Sequence, residues 1–133
     1  MNKNRKPLST KKPPKAGPDY RVIEDWMANR IMPGIKPIIT EIDRLIHHYI
    51  PNLQYAIKWG NAYYGTPELG WLIEVAGYDV SANMVFLNGG RFMPEPPLGS
   101  GDTRYMKLKT IEALQEPYVS DFIKQALQHQ GWQ

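Results

Sequence analysis

Residues 70–88 read GWLIEVAGYDVSANMVFLN, and this stretch decides the fold class. Gly70 to Ala76 and Asn83 to Asn88 are rich in β-branched, aromatic and other apolar side chains, with turn residues around Gly77 to Ala82 between them. The pair predicts two strands joined by a turn. In the first, Trp71, Ile73 and Val75 alternate with Leu72 and Glu74, the period of a strand with two unlike faces. Arg104 to Lys109 repeats the pattern, with Arg104, Met106 and Leu108 set against Tyr105, Lys107 and Lys109. Tyr55 to Lys58 and Ala62 to Tyr64 read as short strand pieces beside Gly60, and Pro94 to Asp102 reads as a loop from its Pro and Gly content.

Helical spacing flanks the strands. Ile35, Ile38, Ile39, Ile42, Leu45, Ile46 and Tyr49 form one stripe at a period of about 3.6 residues. Pro37 fits the first turn of that helix and Pro51 ends it. An earlier helix is predicted over Asp19 to Arg30, with Asp19 as N-cap and Tyr20, Ile23, Met27 and Ile31 near helical spacing beside Trp26. Pro33-Gly34 breaks it. Thr110 caps a short helix reaching Gln115, and Pro117 opens a last one that buries Val119, Phe122, Ile123, Ala126 and Leu127 before Gly131. The order α-α-β-β-β-α-α predicts the α+β class, with helices packed on a small antiparallel sheet.

The chain has 133 residues and a net charge of +3, a length that suits one domain. The positive charge belongs to one end. Met1 to Pro18 holds Lys3, Arg5, Lys6, Lys11, Lys12 and Lys15 and no acid. The remainder carries ten basic and thirteen acidic side chains and sums to −3. Residues 1–18 are expected to be a disordered basic tail, because so few large apolar side chains cannot offset the entropy of ordering. Its lysines allow weak contact with nucleic-acid phosphate, but no aromatic residue lies among them to stack on bases. Residues 19–133 are expected to form a single domain. No cysteine is present, which excludes disulfides and thiolate chemistry and suits a reducing cytoplasm. No apolar run reaches the roughly 20 residues that a membrane crossing needs. The basic N-terminus lacks the apolar core of a secretory signal.

No motif announces a reaction. Asn88-Gly89-Gly90-Arg91 lacks the spacing of a phosphate-binding loop, and Gly99-Ser100-Gly101-Asp102 lacks that of a serine-nucleophile elbow. His47 and His48 are adjacent, so on a helix they diverge by about 100° and cannot share an ion. Both are expected on a solvated face. Asp19, Glu24, Asp25, Glu41 and Asp43 could form a carboxylate ridge on the first two helices, of the hard-oxygen kind that holds cations weakly. The more suggestive set is aromatic and basic. Trp59, Tyr63, Tyr64, Trp71, Arg91, Arg104, Tyr105 and Lys107 lie on or beside the predicted sheet. Rings with one or two cations suit a small anionic or planar ligand. Arg91, after two glycines at a strand end, is expected to face a ligand. Arg104, inside an alternating strand, is expected to close an ion pair with Glu74 or Asp102.

Ala56-Ile57-Lys58-Trp59-Gly60, Tyr64, the strand ending in Leu87-Asn88-Gly89-Gly90, and Arg104-Tyr105-Met106-Lys107-Leu108 together resemble the YdhG-like family, a small bacterial domain of unknown function. The resemblance spans roughly Ile35 to Gln128. It implies a compact α+β fold. Some relatives in that family are described as frataxin-like iron chaperones, and others as stand-alone domains with no assigned activity. Asn61 stands where family members often carry Pro. The expectation is a cytoplasmic, non-enzymatic binding module for a small anionic or planar ligand. Its ligand-facing residues would be Trp59, Tyr63, Tyr64, Arg91, Arg104, Tyr105 and Lys107, with an unidentified small molecule or protein as partner and no resident cofactor. The alternative is an iron-binding, iron-delivering protein that uses Glu24, Asp25, Glu41 and Asp43.

Overall fold

The computed structural model describes residues 12–133, so most of the predicted tail, 1–11, lies outside the described residues. Two helices come first, α1 over Arg21–Arg30 and α2 over Lys36–Tyr49, with a 3-10 turn at Pro33–Ile35 between them. Six strands follow: β1 Gln54–Lys58, β2 Asn61–Thr66, β3 Gly70–Gly77, β4 Ala82–Phe86, β5 Leu98–Ser100 and β6 Thr103–Leu108. A 3-10 turn at Glu112–Gln115 leads into α3, Pro117–Ala126. The strands form one sheet in the order β1-β2-β3-β4-β6-β5, and every pairing is antiparallel.

The α+β class is therefore as the sequence predicts, but the element order differs. The sheet has six strands where three were expected, because both pieces beside Gly60 are full strands and the Pro/Gly loop contains β5. The helix predicted over Thr110 to Gln115 is a single 3-10 turn, with Thr110 Oγ1 accepting from the Ala113 amide at 3.2 Å. Asp19 is not the N-cap of α1. Tyr20 holds that position, and Asp19 instead accepts the Arg21 backbone amide at 3.0 Å.

One face of the sheet carries the main core. Ile35, Ile38, Ile39, Ile42 and Ile46 of the α2 stripe are buried against Tyr64, Ile73, Val75, Met84, Phe86 and Met106. Val119, Phe122 and Ile123 of α3 join the same cluster. Pro37 sits in the first turn of α2, where its missing N–H costs nothing, and Ile50 turns extended ahead of Pro51.

Among the described residues, no helix lies over the opposite face. Ala56, Tyr63, Trp71, Leu87 and Trp132 form a second, smaller cluster there. Trp71 was expected on the same face as Ile73 and Val75. The β2–β3 register slips between Tyr64 and Gly65, so that Tyr64 opposes Ile73 while Gly65 opposes Trp71. Leu72 is the extra residue of the resulting bulge, and a bulge sends the next side chain to the other face. Both ends of the described chain close on this side. The Trp71 and Trp132 backbones exchange two hydrogen bonds, of 2.8 and 2.9 Å, and the Gly131 amide donates to Leu69 O at 2.8 Å. From the N-terminal side, the Trp71 indole donates to Pro14 O at 3.1 Å, and Gly17 and Tyr55 exchange bonds of 2.8 and 3.2 Å. Pro14 to Gly17, which the sequence assigns to the disordered tail, thus lie against edge strand β1.

Ile42 has no exposed surface and sits mid-stripe on α2. Ile42→Ala is expected to cost about 2 to 5 kcal/mol, the range for truncating a buried aliphatic side chain. Urea melts of parent and variant measure it directly.

Candidate functional site

The aromatic face is built across strands. Registers place Tyr63 opposite Glu74, Glu74 opposite Val85, and Val85 opposite Tyr105, so these four form a row on the uncovered face. Lys107 lies on the same face opposite Asn83, with its ammonium 5.7 Å from the Tyr78 ring centre. Burial, and after it the neighbouring Glu74 carboxylate, hold the Tyr63 phenol above its ordinary range.

At one corner stands the β1–β2 hairpin. Lys58 pairs with Asn61, leaving Trp59-Gly60 as a two-residue turn with φ of 54° and 76°. Positive φ at both positions defines the turn type that strand twist favours, usually filled by Asn-Gly or Asp-Gly. Here a tryptophan occupies the first position. Its ring stacks on Trp132 with centres 6.2 Å apart and planes 9° from parallel, and Lys58 Nζ lies 4.8 Å from its centre. The turn is tied to the helices by Trp26, whose indole donates to Gly60 O at 2.8 Å.

Beside Trp132 is a cleft of about 220 Å³, bordered by Leu87, Asn88, Arg91, Asp102, Gln130 and Trp132 among others. Arg91 ends a 3-10 turn, Gly89–Arg91, and is exposed. Its guanidinium makes no hydrogen bond or ion pair with any described residue. Trp132 is 6% exposed, and its indole N–H has no acceptor among the described residues. A larger groove of about 490 Å³ runs along β1 between Pro14 to Gly17 and Tyr55 to Lys58. It follows the edge strand and the arriving chain, with Lys15, Asp19, Tyr55 and Lys58 among its lining residues.

Arg91 is exposed while Arg104 is engaged within the chain, but Arg104 takes other partners than Glu74 or Asp102. Its Nε donates to Pro96 O at 3.1 Å and its Nη1 to Gly99 O at 3.0 Å. Glu95 lies 3.3 Å from Nε. Arg104 therefore ties the 94–102 loop to β6. Of the other expected ligand residues, Trp59, Tyr63, Tyr105 and Lys107 share the uncovered side with Arg91. Tyr64 does not, for it is 1% exposed in the main core beneath the helices.

Tyr64 belongs to a second polar group centred on Asp43. Its phenol donates to Asp43 Oδ1 at 2.8 Å, and the Tyr20 phenol donates to Oδ2. His47 Nδ1 lies 2.8 Å from Asp43 O, and His47 Nε2 lies 2.8 Å from the Tyr55 hydroxyl. His47 is thus not on a purely solvated face, because its ring packs among Tyr20, Tyr55 and Tyr64. His48 is exposed and meets the Tyr49 ring edge-on. Burial raises the Tyr20, Tyr55 and Tyr64 phenols, and the Asp43 carboxylate raises them further.

The four carboxylates proposed for iron are not brought together. Asp43 is buried under two phenols. Glu41 is held by Arg44 through bonds of 2.6 and 2.7 Å, which lower its carboxyl pKa. No group of three or more His, Asp or Glu among the described residues is placed to hold a metal ion.

Trp132 and Asn88 are the site residues that sequence reading misses. The sequence predicts Gly131 as the helix stop, whereas α3 ends at Ala126, and the segment from Leu127 returns to the sheet. Comparison with family models, curated proteins and solved structures gives no match to this chain.

Two outcomes test these assignments. Arg104→Gln is expected to cost about 1.5 to 3 kcal/mol, the worth of hydrogen bonds made by a charged group, while Arg91→Gln melts with the parent. For the Asp43 group, a phenol whose pKa is raised by folding stabilises the fold fully below its unfolded value of 10.0 and less as pH rises past it. Stability should therefore fall above about pH 10. Tyr64→Phe should lower stability at neutral pH and make that alkaline fall shallower, as read from melting temperature against pH.

Proposed function

We propose that the chain is a non-enzymatic binding module for a small anionic or planar ligand, seated in the cleft beside Trp132. One observation carries this reading: the Arg91 guanidinium, which no described residue engages, borders the same cleft as Trp132. A guanidinium that the fold does not use is free to take a carboxylate or phosphate in its planar fork. Trp132, whose ring stacks on Trp59, borders the cleft as an aromatic side chain, the usual partner of a few placed polar groups in a ligand site. Trp59 adds support through its backbone. A bulky residue at positive φ is strained where Asn or Gly would not be, and such strain concentrates at functional positions.

In this reading the chain is a cytoplasmic, bacterial member of the YdhG-like family. That proposal rests on the Lys58-Trp59-Gly60 step, the Gly89-Gly90 strand end and Arg104 to Leu108, and on the absence of cysteine. Among the described residues, no helix is long and apolar enough to cross a membrane. The iron-delivery alternative draws no support from the placement of its four carboxylates.

The test is a melting screen of the full chain against inorganic phosphate, carboxylate metabolites and ferrous iron side by side. A ligand at about one hundred times its Kd adds about 2.7 kcal/mol of stability. The expected result is a rise with an anion that Arg91→Gln abolishes. Trp59→Asn should keep the fold and weaken the same binding. A rise with ferrous iron alone would move the function to the carboxylates and overturn the cleft.

A further inference from the structure

Asn88 follows β4 and Asp102 precedes β6, so the cleft sits at one end of these strands. The other end carries a different surface. There β3 and β4 meet at Tyr78 to Ser81, and β6 finishes at Leu108, whose partner is Ala82. The 3-10 turn between α1 and α2 closes on the same end, because a Cβ on Gly77 would lie 2.9 Å from both Ile31 Cδ1 and Ile35 Cδ1. Four large apolar side chains on these connections stand in water. Met32 is 51% exposed, Tyr78 49%, Val80 75% and Ile111 38%. The Trp59 turn, already committed to Trp132, shares this end.

A lone exposed apolar side chain is ordinary. These four gather on adjoining connections, and neither packing nor turn geometry accounts for Val80. The Tyr78 amide donates to Ser81 O at 2.8 Å, which places Val80 in a tight turn. Such a position suits Gly, Asn or Asp better than a stiff β-branched side chain. Ser81 and Ala82 beside it are buried, so the exposure belongs to the tip.

Positive charge surrounds this end. Lys107 on β6 holds its ammonium 5.7 Å from the Tyr78 ring centre. Arg30 and Lys109 each lie two residues before an exposed apolar side chain, against Asp79 and Glu112 of opposite sign. The N-terminal segment adds more. Lys15 and Lys58 line one groove along β1, and β1 ends at the Trp59 turn. Lys12 and Lys15 are preceded in the sequence by Lys3, Arg5, Lys6 and Lys11, with no acid among them. Six positive charges thus join, beside this end, a body whose residues 19–133 sum to −3.

We propose that this end docks on an anionic lipid bilayer, lying on its surface without crossing it. Val80, Met32 and Ile111 enter the headgroup layer, and Tyr78 sits at the depth where an amphipathic ring is favoured. Lys107, Lys109 and the basic N-terminal segment meet the anionic headgroups. Stable peripheral binding takes two signals, and an apolar tip with a polybasic segment supplies both. Single-stranded nucleic acid fits less well, since Val80, Met32 and Ile111 offer bases no ring to stack on. None of this depends on the cleft beside Trp132.

The experiment is flotation of the full chain with vesicles of phosphatidylcholine carrying about 30 mol% phosphatidylserine, and with phosphatidylcholine alone. Binding is expected to the first, weakening as salt rises, and little to the second. Val80→Asn suits a turn and should melt with the parent. It should weaken vesicle binding about ten-fold, the worth of keeping a valine side chain out of an apolar layer. Met32→Gln should act in the same direction, and it decides the point if Val80→Asn melts lower. Lys107→Gln and Lys109→Gln should each weaken binding about five-fold. No binding to the anionic vesicles overturns the proposal. So does binding that neither Val80→Asn nor Met32→Gln reduces, which leaves the basic segment acting alone. Equal binding to phosphatidylcholine alone refutes the anionic requirement. If a single-stranded oligonucleotide binds and the vesicles do not, the surface belongs to nucleic acid and the proposal falls.

Discussion

A sheet has two faces, and in this protein the three helices cover only one. The rest of the architecture follows from that constraint. Apolar surface left open on the second face would cost about 25 cal/mol for each Å² exposed. Among the described residues, two short segments rather than a helix close part of that face. Trp132 pairs its backbone with Trp71 and lays its ring over Tyr63 and Trp59. Pro14 to Gly17 arrive from the other end and hold the Trp71 indole and the edge of β1. Two short segments cannot seal a six-stranded sheet, and two clefts among the described residues lie along their borders. The candidate site is one such border, between the returning C-terminal segment and the loops that follow β4 and β5.

The covered face solves a different problem. Asp43 lies on α2 at the margin of the apolar stripe and is 8% exposed. A carboxylate taken from water needs its oxygens bonded, or it is severely destabilising. Tyr20 ahead of α1 and Tyr64 on β2 each give one phenol, so a single side chain ties three parts of the fold together. His47, one turn further along α2, reaches Tyr55 on β1 and extends the tie to the edge strand. Such a network specifies one arrangement of the helices on the sheet, because any other leaves the carboxylate unanswered. It also removes Asp43 from any ridge of free carboxylates.

The sequence was most readable where one face decides a segment. The α2 stripe, the alternation of Arg104 to Leu108 and the turn around Gly77 to Ala82 each carry a local period, and each stands as predicted. The misreadings are non-local. Trp71 was assigned a face by alternation, but the bulge opposite Gly65 is a property of two strands and shows in neither alone. Leu98 to Ser100 has three residues between a proline and a glycine and no period to detect, so β5 exists through its pairing with β6. His47 read as solvated because the helical period places it off the stripe, although neighbours from β1 and the segment before α1 fill that side. Of the site, Arg91, Trp59 and Tyr63 were legible as a chemical type. That Arg91 borders a cleft with Trp132 depends on a C-terminal return that no local pattern encodes.

Trp59 shows best how stability and site are balanced here. The turn it occupies favours small polar residues at positive φ, and a bulky side chain there costs about 1 to 2 kcal/mol. Ring stacking returns part of that, since aromatic pairs are worth about 0.5 to 1.5 kcal/mol beyond their buried area. The two roughly cancel, so stacking on Trp132 explains why the strain is tolerated. Asn would satisfy the turn without needing the offset. Trp59 is nonetheless 59% exposed, and it presents its ring at the corner where the aromatic face meets the cleft. The hairpin thus accepts backbone strain for a ring that joins the β1–β2 turn to the C-terminal return.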